Sequence, residues 1–183
     1  MKVFISWSGE LSRRFGESLR TWLPAVLQSV KPYFTPSDIE KGARWNSEIA
    51  KELETSDIGI LCVTRDNIES AWLVFEAGAL SKQLDRSRVC PILFGIDSND
   101  LRGPLSQFQT TTFTEMEMKK LVSTINERLG DYKLAVEVLD SVFSKWWPDL
   151  FNKIDRILEE AHSDTSPIRS DRDIIEEILQ LSR

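Results

Sequence analysis

The amino-acid sequence predicts an α/β protein built on a doubly wound parallel sheet of about five strands, with a C-terminal helical appendage. Three observations point to this class. Short β-rich apolar runs alternate with segments whose apolar residues recur every three or four positions. The run Ile58-Gly59-Ile60-Leu61-Cys62-Val63 carries no polar side chain, as a strand covered on both faces requires. Beyond Gly130 the strand-like runs stop and only helical periodicity continues.

In chain order, Lys2-Val3-Phe4-Ile5-Ser6 reads as a strand, and Trp7-Ser8-Gly9-Glu10 as a small-residue turn. Leu11, Phe15, Leu19, Trp22 and Leu23 then mark one face of a helix that Pro24 can interrupt. Val30 to Phe34 is a second strand, placed at or near an edge because Pro32 has no N–H to give a ladder. A polar loop, Thr35 to Arg44, leads to a helix face of Trp45, Ile49, Ala50 and Leu53. After the Ile58–Val63 strand, Thr64 to Asn67 is its polar exit, and the next helix, capped by Glu69 or Ser70, runs to about Asp85. Val89 to Phe94 and Thr110 to Phe113 are the remaining strands, and Thr114 with Glu117 suits a capping box for a helix from Glu115 to Leu129.

The C-terminal part divides further. Ala135, Leu139, Phe143, Trp146 and Trp147 form an apolar helical face, Pro148 allows a restart, and Leu150, Ile154 and Ile157 continue the face. This extension packs either on the domain or on a neighbour. Residues 162–170 form a polar linker, and 171–183 an amphipathic helix with Ile174, Ile175, Ile178, Leu179 and Leu181 on one side. The expected organisation is a domain over 1–130, a helical extension over 131–161, a linker over 162–170 and a terminal helix over 171–183 that docks in cis or on a second subunit or partner protein.

Composition narrows the function classes. With 41% hydrophobic residues the chain can fill a core, and a formal net charge of -6 without a basic cluster argues against nucleic-acid binding. No apolar run is long enough to span a bilayer, and the first residues lack a signal-peptide layout, so a cytoplasmic protein without membrane attachment is expected. Cys62 and Cys90 lie inside apolar runs and read as buried reduced thiols. There is no GxGxxG after a strand, no P-loop, no HExxH and no Cys/His cluster, and a single histidine, so no metal, no resident cofactor and no His-based triad is expected.

The chemistry centres on Ala71 to Leu80, where every residue except Glu76 is apolar. An ionised carboxylate in such a helix must be paired, protonated or open to a cavity. Trp72, four residues earlier, shares its helix face, so an indole and an anion stand together, an arrangement that suits a cationic ring. The loops at Ser6–Glu10, Thr35–Arg44 and Thr64–Asn67 leave the carboxyl ends of the strands, where ligands of such sheets bind.

Phe4-Ile5-Ser6-Trp7, the loop Ser37-Asp38-Ile39-Glu40-Lys41-Gly42-Ala43-Arg44-Trp45, and Trp72-x-x-x-Glu76, in register over residues 1 to about 130, resemble a Toll/interleukin-1 receptor (TIR) domain, closer to the bacterial proteins than to animal receptor adaptors. The resemblance implies a flavodoxin-like fold and cleavage of NAD+ at the nicotinamide–ribose bond, giving nicotinamide and ADP-ribose or a cyclic isomer, in bacterial antiviral or stress defence. NAD+ is then a substrate and not a cofactor. Glu76 matches the family's catalytic glutamate. Ser6, Trp7, Phe34, Asp38, Arg44, Trp45 and Trp72 are the implied substrate-binding residues, with Gly42 as the hinge of the loop. Trp7 stands where the family often has Tyr or Phe, and Thr35-Pro36 where it often has an acidic residue. Self-assembly through the domain or the terminal helix, and a partner sensor protein, are further implications.

Plainer readings stand beside these. Glu76 can be a structural carboxylate held by an arginine or backbone amides, Trp72 core packing, Trp7 and Trp45 protein-contact surfaces, and Lys41 with Arg44 a solvated pair. The domain as a whole can be a noncatalytic scaffold, or an enzyme of the nucleoside deoxyribosyltransferase type.

Overall fold

The computed structural model describes residues 1–34, 56–70, 88–101, 105–106 and 108–164. Five parallel strands, β1 (Lys2–Ser6), β2 (Lys31–Phe34), β3 (Ile58–Val63), β4 (Arg88–Leu93) and β5 (Thr111–Thr112), form a sheet in the order β2-β1-β3-β4-β5. Helix α1 (Glu10–Val26) connects β1 to β2, and α2 (Glu115–Glu127) and α3 (Val136–Asp164) follow β5. The order is that of the flavodoxin-like doubly wound sheet, and the strand sequence reverses direction between β1 and β3.

Strand alternation sorts the core into two clusters. Val3, Ile5, Ile58, Ile60, Cys62 and Ile92 face one side, with Phe15, Leu19 and Leu23 of α1, Met118, Val122 and Ile125 of α2, and Leu139, Phe143, Trp147, Leu150, Ile154 and Ile157 of α3. Phe4, Leu61, Val63 and Leu93 face the other, where they meet Ile96, Leu101 and Leu105. Every residue of β3 is buried, which is why its sequence shows no polar alternation. β2 lies at the edge, and Pro32 is in register with Val3, so its missing N–H is lost where no outer strand needs it.

Aromatic rings tie the helices to the first face. Phe15 stacks on Phe94 at 4.2 Å between centroids, Phe94 contacts Phe113 at 5.2 Å, and Phe113 contacts Trp147 at 5.2 Å. The Trp22 indole N–H donates to the Trp146 carbonyl at 2.8 Å, joining α1 to α3. The segment beyond Gly130 therefore packs on its own domain and shares that domain's core.

Both prolines expected to break helices are accommodated. α1 continues through Pro24 and α3 through Pro148. Each proline has no N–H to give the carbonyl four residues earlier, that of Arg20 or of Ser144, and both of those residues are exposed. α2 ends at Glu127, two residues short of the expected Leu129, and Gly130 follows at φ +57°. The Thr114 hydroxyl accepts from the Glu117 N–H at 3.4 Å at its start. The buried Asn126 clamps the turn into α3, giving its Nδ2 to the Leu134 carbonyl at 2.8 Å and accepting the Leu134 N–H at 2.9 Å. α3 runs to Asp164, so residues 162–164 of the expected linker 162–170 continue the helix, and residues 68–70 are already helical where Glu69 or Ser70 was expected as a cap. The expected helix of residues 45–53, that of 71–85, the rest of the linker, 165–170, and the terminal helix of 171–183 lie outside the described residues, and among the described residues no helix is long and apolar enough to cross a membrane.

Two predictions follow from this core. Phe15→Ala removes the ring that joins α1 to the first face and is expected to lower stability by about 3–5 kcal/mol in denaturant titration. Cys62 is a free thiol buried in β3, and burial pushes its pKa far up. In a Cys90→Ala background, a disulfide reagent is expected to leave Cys62 unmodified at pH 8 until denaturant is added. Reaction at the rate of a free thiol in native buffer would contradict that burial.

Candidate functional site

In a doubly wound sheet the ligand crevice opens at the carboxyl ends of the strands where the order reverses. Here that point lies between the ends of β1 and β3, with Ser6 in register with Leu61. Three predicted site residues meet there or beside it. Ser6 is buried at the last position of β1, and Trp7, half-buried, is the first residue of the exit loop. Its indole stacks on Phe34, the last residue of β2, with centroids 5.5 Å apart and planes at 21°. Such a pair contributes about 0.5–1.5 kcal/mol beyond its buried area. This aromatic wall lies on the edge-strand side of the switch point and packs against the first core cluster.

The wall is seated on α1 by the absence of a side chain. A Cβ added to Gly16 would stand 2.6 Å from Phe34 Cε2 and 3.4 Å from Ile5 Cγ2. Glycine at this helix position lets the Phe34 ring lie directly against the helix backbone. The Arg20 guanidinium sits 5.9 Å from the Phe34 ring centroid on the same helix, one turn on.

The loop after Trp7 is held by polar groups that the sequence reading passed over. Gly9 adopts φ +85°, a left-handed conformation that favours glycine. Ser12 is fully buried, and its hydroxyl accepts the Ser8 N–H at 2.9 Å and donates to the Ser8 carbonyl at 2.5 Å. From the other side of the crevice, Asn67 Nδ2 donates to the Ser8 carbonyl at 3.1 Å and to the Cys62 carbonyl at 2.9 Å. The Asn67 Oδ1 accepts the Thr64 N–H at 2.7 Å. A Thr-x-x-Asn spacing directly after an apolar strand is the signal that marks this turn; the serine pair four residues apart marks the other.

Electrostatics at the start of α1 are local. The Arg13 guanidinium, hydrogen-bonded to Glu10, holds the Glu10 carboxyl below its ordinary value, and the same bond raises Arg13. Glu10 is exposed and Arg13 half-buried, and both join Glu17 in a surface network. Two grooves lie away from the switch point. One runs between α1 and α3, where Arg14, Lys153 and Arg156 are offset by Glu17, Asp149 and Glu160. The other lies at the ends of β4 and β5, against Leu93, Ile96 and Phe113. Among the described residues no group of His, Cys, Asp and Glu is arranged to hold a metal. The remaining predicted site residues, Asp38, Gly42, Arg44, Trp45, Trp72 and Glu76, lie outside the described residues.

The seat of Phe34 can be tested by Gly16→Ala. Alanine favours an interior helix position by about 1 kcal/mol over glycine. Overpacking against a ring held in a stack costs about 1–3 kcal/mol. The expected outcome is a net loss of stability in thermal unfolding, relieved when Phe34→Leu is added in a double-mutant cycle. A stabilised Gly16→Ala protein would show that the ring moves aside freely.

Comparison with known proteins adds the following. Among solved structures, the chain is similar to the azoreductase from Bacillus anthracis str. Sterne at 10% identity and TM-score 0.39, over 88% of this chain and 96% of that one. It is similar to the TIR domains in the activated Roq1 resistosome, which directly recognizes the pathogen effector XopQ, at 16% identity and TM-score 0.41, over 87% of this chain and 98% of that one. At these scores neither match bears on function. No curated protein matches the chain. Residues 3–125, more than half of the chain, match the family model of the TIR domain, and they take in β1 to β5, the crevice between β1 and β3, and the Trp7–Phe34 wall. This chain belongs to the TIR domain family.

Proposed function

We propose that this TIR domain is an NAD+ glycohydrolase or cyclase that cleaves the nicotinamide–ribose bond, with Glu76 as the catalytic carboxylate. The observation that carries the reading is the aromatic pair Trp7–Phe34 at the switch-point crevice of a chain whose residues 3–125 match the TIR family. A flat π surface at this place suits a planar base.

The chemistry asks little of the protein. Nicotinamide attached to ribose is a cation and departs as a neutral ring, so no general acid is needed. As the bond lengthens, positive charge passes to the ribose as an oxocarbenium-like species, and a fixed carboxylate at Glu76 stabilises it. Water then adds to the anomeric carbon and releases a proton, giving ADP-ribose. An adenine nitrogen or a ribose hydroxyl of the same molecule gives a cyclic isomer instead. Ser6 and Trp7 would line the floor of the pocket, Phe34 and Trp45 its aromatic side, and Asp38 and Arg44 the ribose and diphosphate. Trp72 would support the face beside Glu76, and Gly42 would serve as the hinge of the loop. Self-assembly through the domain or through residues 171–183, a partner sensor protein, a cytoplasmic setting and a role in bacterial antiviral or stress defence belong to the same proposal and are supported by the family resemblance.

The deciding experiment incubates the purified protein with NAD+ at high protein concentration with a crowding agent and separates the products by chromatography. Release of nicotinamide with ADP-ribose or its cyclic isomer is expected. Glu76→Gln is expected to lower turnover at least about a hundredfold while keeping the circular dichroism spectrum and melting temperature. Equal turnover by Glu76→Gln would remove the glutamate from the mechanism. No turnover by either protein, with concentration-dependent assembly of both, would favour a noncatalytic scaffold.

A further inference from the structure

We infer that Asn67 is a positioning residue of the switch-point site: its side-chain amide fastens the exit loop of β1 to the exit of β3, so that the aromatic wall and the start of the following helix behave as one body. Both N–H groups of the amide are used, one on Ser8 and one on Cys62, and its oxygen takes the Thr64 N–H. The side chain is 3% exposed, so water does not replace these bonds. Ser8 and Asn67 are 59 residues apart in sequence, and their bond spans the gap between the two strand ends at which the sheet reverses order.

The residue type follows from the partners. Two carbonyls and one N–H must be met by one short planar group with two donors and an acceptor. An aspartate has no donor and would set a buried charge against two carbonyl oxygens. A glutamine adds a methylene that the buried site has to absorb. The serine at 12 holds Ser8 from α1 but makes no bond to the β3 exit, so among these contacts Asn67 alone joins the two sides.

The consequence concerns geometry more than affinity. Trp7 adjoins Ser8, and the helical turn of residues 68–70 begins directly after Asn67, with Glu76 nine positions further along the chain. Resting on the function proposed above, a fixed spacing between the aromatic wall and the turn of residues 68–70 bears on the geometry of cleavage. Misplacement by about 1 Å can cost a hundredfold in rate without a matching loss of binding.

Hydrogen exchange and kinetics test this separately. Asn67→Ala is expected to speed amide exchange about tenfold in both segments 7–10 and 64–70, whereas Ser12→Ala speeds it in the first alone. Exchange that rises only in 64–70 for Asn67→Ala overturns the coupling. In NAD+ turnover, Asn67→Ala is expected to lower kcat about 10- to 100-fold with KM within about threefold of native. Leu139→Ala and Ile154→Val, on α3 and remote from the site, bracket its loss of melting temperature and are expected to keep native kcat. An equal fall in kcat in these controls reduces Asn67 to a structural residue. If the native protein does not turn over NAD+, the proposed function fails while the exchange result still decides the coupling.

Discussion

β1 is hydrogen-bonded on both sides, to β2 at the sheet edge and to β3 toward its centre, and both pairings are parallel. A parallel pairing on each side forces the chain out of β1 at the carboxyl end and back over a face before either neighbour can form. α1 makes the first return, and its position decides much else. It carries Phe15 into the stack with Phe94, brings Trp22 to α3, and presents Gly16 to the ring of Phe34. Because α1 must begin just after Trp7, the loop that leaves β1 is short, tightly turned at Gly9 and bound to its own helix through Ser12. The groups at the order reversal thus have places set by the packing of α1.

The two sides of the crevice are built by different means. On the β2 side the contacts are apolar: a ring on a ring, and a ring on bare helix backbone. On the β3 side they are hydrogen bonds converging on one amide. Apolar contact tolerates small slides, because dispersion changes gradually over a few tenths of an ångström. A buried amide with every bond directed does not, since each lost bond exposes an unsatisfied group. The same device recurs at Asn126, where a buried asparagine holds the turn from α2 into α3. In both places it closes a short polar turn that would otherwise leave backbone groups unpaired beside the core.

What the sequence made legible follows from the range of the interactions. The alternation of strands and helices, the buried character of β3 and the edge position of β2 are written in local periodicity and in one proline, and the observed order agrees with them. The matched residues 3–125 agree with the family resemblance read from three spaced motifs. Helix continuity through Pro24 and Pro148 was not legible, since a proline's local signal is the same whether the helix ends there or continues. Gly16 is a contact surface for a ring 18 positions away, and Trp22 and Trp146 lie 124 apart. Asn67 read only as loop polarity because its partner Ser8 lies 59 residues away in sequence. Such pairs are fixed by topology, and no window of local pattern contains both members.

The chemistry suggested by Glu76 and the architecture around Trp7 share a physical requirement. In the reaction proposed, a cationic leaving group would need no proton donor, so the protein would contribute mainly a carboxylate and a surface for the departing ring. Electrostatic stabilisation of this kind depends on the anion not having to reorganise as charge develops. A helix that starts from a turn whose Thr64 N–H, Cys62 carbonyl and Ser8 carbonyl all meet one buried amide begins from a fixed point. An aromatic wall backed by a glycine-smoothed helix gives a second. Two reference points on opposite sides of the switch point would suit the proposed reaction, and both arise from ordinary packing of a doubly wound sheet.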